Sequence, residues 1–64
     1  MKHSVRVRQS TCKTIAYTIT QTLHEMMNEV GPKFELREHS VATMLTSQSG
    51  DVIVTVSAIF DEKQ

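Results

Sequence analysis

The chain has no tryptophan, one cysteine, one proline and two glycines; its aromatic residues are Tyr17, Phe34 and Phe60, and its formal charges cancel. Each shortage removes a class of answer. A lone Cys12 cannot close an internal disulfide, and no CxxC or HxxxH spacing offers the start of a zinc site. His3, His24 and His39 fall on three different expected elements, so no metal and no other cofactor is expected. Few aromatic rings leave little on which bases could stack, and zero net charge gives little attraction to a phosphate backbone, which argues against nucleic acid as a partner. No run of eighteen apolar residues occurs and the N-terminus lacks an apolar signal core, so the expectation is no membrane association and a cytoplasmic setting with Cys12 reduced.

What apolar material there is must serve one domain, residues 1–64. A chain this short buries only about 60% of the surface its unfolded form exposes, and apolar residues make up 39% of it. Small domains make up the deficit with disulfides, metals or further subunits. With the first two closed, a homo-oligomer is the expected state.

Charge is segregated along the chain. Lys2, Arg6, Arg8 and Lys13 precede any acid, giving four positive charges before Glu25. After that point seven acids face Lys33, Arg37 and Lys63, a balance of 3 − 7 = −4. Such asymmetry suits either an anion-binding end or a surface that complements another copy.

The hydrophobic pattern predicts a strand over 3–9, where Val5 and Val7 alternate with polar residues and mark its inward face. Ser10 and Thr11 then offer N-caps for a helix over 11–30, with a stripe of Ile15, Ile19, Leu23, Met26 and Val30. Gly31-Pro32 stops it. Alternation within 14–20 also suits a strand, but the stripe holds helical spacing for sixteen residues. Phe34 and Leu36 open a strand over 34–46 in one phase, and Val41, Thr43 and Leu45 follow in the other, so a bulge is expected near 38–40. A hairpin at 47–51 leads into a last strand over 51–60, apolar on both faces. The most apolar strand belongs in the centre. The expected fold is therefore α+β: a three-stranded sheet of order 1-3-2, a split β-α-β with a C-terminal hairpin, and one helix packed on one face by a right-handed crossover. The far face then has no cover, which marks Ile53, Thr55, Ser57 and Ile59 as interface candidates.

One segment stands out chemically. Arg6, Arg8, Ser10, Thr11 and Lys13 lead from strand to helix N-terminus, where free amides and the dipole favour anions. This is the candidate ligand site, for a phosphate- or nucleotide-like group. It lacks the glycines of a P-loop, and plain capping with solvated bases is the simpler reading of the same residues. Cys12 beside Lys13 would be a thiol of lowered pKa on a helix's first turn, although a packing role needs no such chemistry. Tyr17, Gln21, His24 and Asn28 form a polar flank of the helix. The small tautomerases share the strand-helix-strand order but use an N-terminal proline as base; this chain begins Met1-Lys2 and its sole proline is Pro32. No catalytic residue is left to assign, and the chain is not expected to be an enzyme.

The order of elements, the length and the closing strand GDVIVTVSAIF resemble the dodecins, small flavin-storing proteins that assemble as shells of twelve subunits. Dodecins stack flavin on a tryptophan of the second strand, where this chain offers only Phe34 or His39, so flavin is not carried over. What the resemblance implies is self-assembly through the uncovered sheet. The expected function is a non-catalytic binding protein, acting as a homo-oligomer that binds or sequesters a small anionic ligand. The alternative is a protein-protein regulator or inhibitor that grips another protein through the open sheet or the edge carrying Glu35, Arg37 and His39.

Overall fold

A computed structural model describes residues 2–46 and 50–64. The elements are β1 (His3–Cys12), α1 (Ile15–Val30), β2 (Phe34–Leu45) and β3 (Val52–Glu62). The sheet order is β1-β3-β2, with β3 antiparallel to both neighbours. This is the α+β arrangement expected from the sequence, with the helix packed on the sheet.

The apolarity of β3 explains its central place. Val54, Val56, Ala58 and Phe60 alternate onto the helix-covered face and are fully buried, and Met26 of α1 packs on them. Thr22 is buried beside Met26, while Ile19, Leu23 and Val30 are half-buried, so the helical stripe runs along the expected side but is centred nearer Thr22 and Met26. Ile15 and Met27, at its margins, are exposed. Gly31 closes the helix at φ 90°, and its N–H donates to the Met27 carbonyl at 3.1 Å. A side chain would be strained at that φ, which is why glycine stands there.

Three boundaries differ by two residues or more from the sequence expectation, and the end of β2 and the start of β3 by one. The first strand does not stop at Gln9: Ser10, Thr11 and Cys12 pair with Val54, Ile53 and Val52. An apolar central strand needs its ladder partners over its whole length, and that pairing outcompetes an early helix start. The helix accordingly begins at Ile15, not 11, with Thr14 before it making no side-chain cap bond. Thr18 instead turns its hydroxyl back to the Thr14 carbonyl at 2.8 Å. β3 runs on to Glu62, beyond the expected end at 60, because Asp61 and Glu62 find partners in β1 and β2. The bulge lies between Leu36 and Glu38, at the start of the expected stretch, and puts Leu36 and Val41 on the same face despite their opposite phases. Most of the expected hairpin connection, 47–49, lies outside the described residues; Gly50, at its end, has φ 79°.

The face of β1 is also the reverse of the expectation. Register places Ser4, Arg6, Arg8, Ser10 and Cys12 opposite Phe60, Ala58, Val56, Val54 and Val52, hence on the helix side. Val5 and Val7 fall opposite Ile59 and Ser57 on the other face, each 65% exposed. Strand alternation fixes which residues share a face; the neighbour's register decides which face is covered.

Unfolding in urea at fixed protein concentration tests the helix face. Met26→Ala is expected to cost about 2–5 kcal/mol as a large-to-small change at a fully buried site, Leu23→Ala less, and exposed Gln21→Ala within about 0.5 kcal/mol. Equal losses at Met26 and Gln21 would contradict the packing described.

Candidate functional site

The basic segment singled out by sequence is an extended strand, not a helix approach. Arg6 and Arg8 lie on the helix side of β1, Ser10 on the same side further along, Thr11 on the opposite side, and Lys13 beyond the strand's end. Six strand positions separate Arg6 from Cys12, about 20 Å of extended backbone. Five residues so spread and so divided between faces do not converge on one small anion. Cys12, half-buried at the edge of the core, is a strand residue and not part of a helical turn.

Arg8 has partners within the chain. Its guanidinium spans Glu25 and Glu29 of α1, one terminal nitrogen donating to each carboxylate. The two acids sit four residues apart, on one face of the helix, which is what a forked donor needs. The hydrogen bond to Glu29 is the first cause that holds the Arg8 pKa above its ordinary value, with attraction to both carboxylates adding and partial burial opposing. The sequence signal that could have revealed this contact is the Glu25–Glu29 spacing itself, two carboxylates on one helical face with no cation four residues away within the helix, Lys33 lying beyond its end.

The other face of the sheet is arranged in rows across the three strands. Register sets Val5, Ile59 and Glu38 side by side, then Val7, Ser57 and Ser40, then Gln9, Thr55 and Ala42, then Thr11, Ile53 and Met44. All four interface candidates, Ile53, Thr55, Ser57 and Ile59, therefore line this face, half-buried between their neighbours. Gln9 donates from Nε2 to the Thr55 hydroxyl at 3.2 Å. A shallow groove of about 390 Å³ opens over the first two rows, with Val5, Val7, Ala58 and Ile59 as its apolar lining and Glu38, His39, Ser40 and Ser57 as its polar one.

An ionic cluster closes one end of this face. His3 Nδ1 lies 2.6 Å from the Asp61 carboxylate, and Arg37 Nη1 lies 3.6 Å from the same oxygen, so one side chain from each strand meets there. Asp61 is the least exposed of the three. The bulge divides the edge residues named from sequence: Glu35 lies opposite Asp61, whereas His39 lies opposite Ala58 on the helix side. Glu35, Arg37 and His39 do not form one surface.

Among the described residues no group of three His, Cys, Asp or Glu side chains is placed to hold a metal ion, and no helix is long and apolar enough to cross a membrane. No family model, curated protein or solved structure matches this chain.

Arg8→Gln removes the forked charge while keeping a shorter polar side chain at the position. The expected result is a lower melting temperature at low salt and a difference from the parent that shrinks as sodium chloride is raised, because the fork is partly exposed and screened. A melting temperature that does not fall, or a deficit independent of salt, would remove Arg8 from its place between strand and helix.

Proposed function

We propose that the chain is a non-catalytic binding protein that works as a homo-oligomer, joined through the open face of its sheet, with a ligand site between subunits at the groove. The observation that carries this reading is the exposure of Val5 and Val7, side by side on the face opposite the helix. An apolar pair on the open face of β1, flanked by Ile59 of the central strand and small hydroxyl residues, suits sheet-on-sheet packing.

The whole molecule supports it. A folded monomer of 7.2 kDa is expected to expose about 4,100 Å², and this chain exposes 4637 Å². Its radius of gyration is 13.1 Å, against about 11 Å for a compact chain of this length. Excess surface and an open apolar face are the marks of a subunit. A second copy is the favoured occupant because it meets the same deficit in both chains at once, and because the four rows above hold only one formal charge, Glu38, to oppose self-packing. This is also the mode of association that the resemblance to dodecins implies.

The ligand's chemistry follows the groove rather than the basic segment. Glu38, Ser40 and Ser57 offer acceptors and hydroxyl donors beside apolar floor, and neither Lys nor Arg lines the groove to give an anion a permanent counter-charge. The anionic ligand expected from Arg6, Arg8 and Lys13 draws no support from residues that are spread along a strand, one of them engaged by two carboxylates.

Sedimentation at micromolar concentration tests the assembly. The parent chain is expected to run as two or more copies, and Val7→Lys and Ile59→Lys each to lower the mass and the melting temperature together. A single folded species of 7.2 kDa for the parent would overturn the reading.

A further inference from the structure

A three-stranded sheet has two edges, and here they differ. The outer edge of β1 carries Arg6 and Arg8, charges that would stand against each other if two such edges met. The outer edge of β2 is bare of such protection: from His39 to Leu45 there is no Lys, Arg, Asp, Glu or Pro. Natural edge strands that avoid pairing are kept short, charged or interrupted, and twelve-residue β2 has its one bulge near its start and runs regularly after it. Among the described residues β2 pairs with β3 alone.

The side chains of this arm are as unprovided for as its backbone. Every residue of β2 from Arg37 onward is exposed, Met44 at 63% and Leu45 at 82%. The reason lies in the helix position. Arg8 anchors α1 through Glu25 and Glu29 on the β1 side, and the helix packs on Phe34 and Leu36 at the start of β2, so Val41 and Leu45 are left on the helix side with little above them.

We infer that the outer edge of β2 pairs with the same edge of a second copy, antiparallel and two-fold symmetric about Val41. In that register His39 lies opposite Thr43, Ser40 opposite Ala42 and Glu38 opposite Met44, with Val41 opposite itself. No like charges meet. Residues of the helix side oppose residues of the helix side, and those of the open face oppose those of the open face, as a continuous pleat requires. The product is a six-stranded sheet, β1-β3-β2-β2-β3-β1, with both helices on one side and a shared strip of Val41 and Leu45 between them. Edge and face are separate surfaces, so both can be used in one closed assembly. The inference rests on the self-assembly proposed above and names a second contact within it.

A self-opposed residue gives a sharp test. Val41→Lys and Val41→Glu are each expected to lower the sedimenting mass by at least half while the fold persists by circular dichroism, and an equal mixture of the two to restore the parent mass. Val41→Cys is expected to give a disulfide between the two substituted positions on mild oxidation, since cross-strand Cα atoms lie within bridging distance. Val41→Lys at the parent mass beside a dissociated Val7→Lys would overturn the edge contact and leave assembly through the face standing. A monomeric parent would overturn both. Should Val41→Lys fail to fold, absence of the cross-link in Val41→Cys overturns the edge contact by itself.

Discussion

One helix can shield only one face of a sheet, and the described residues form one helix. Among the described residues all five fully buried apolar side chains, Met26, Val54, Val56, Ala58 and Phe60, lie in the layer between α1 and β3. Nothing comparable exists on the other side among the described residues. A core of that size sits at the lower limit of what holds a domain together, so the open face, the elongated shape and the excess surface are consequences of the same shortage.

The shortage also explains where the charges went. On the helix side β1 presents serines, arginines and a cysteine instead of a second apolar row. Arg8 turns this to use by reaching across to Glu25 and Glu29, tying strand to helix where apolar contact is thin. The segregation of charge along the chain, positive before residue 24 and negative after it, is thereby spent in part inside one molecule. At the other end of the sheet His3, Asp61 and Arg37 tie the three strands together on the open side.

Much of the fold was legible in the sequence. The two-sided apolarity of β3 announced the central strand, the sixteen-residue stripe and Gly31-Pro32 announced the helix and its end, and the phase change between Leu36 and Val41 announced the bulge. The face of β1 was not legible, because Val5 and Val7 alternate equally well under either assignment and only pairing with β3 selects one. The candidate ligand site failed to assemble for a related reason. Ser10 and Thr11 are good caps and good strand residues, and local propensity could not weigh ten ladder partners on β3 against one capping bond. The interface candidates Ile53, Thr55, Ser57 and Ile59 do share the open face, since strict alternation in a regular strand carries that information without help from neighbours.

The proposed dependence of the fold on further copies is most directly read by native mass spectrometry of the freshly purified chain, which reports stoichiometry and any retained small molecule together. An obligatory assembly requires that species of two or more chains dominate and that charge-state distributions typical of unfolded chain appear as they dissociate. A dominant folded ion of one chain, 7.2 kDa with no larger species, would contradict it.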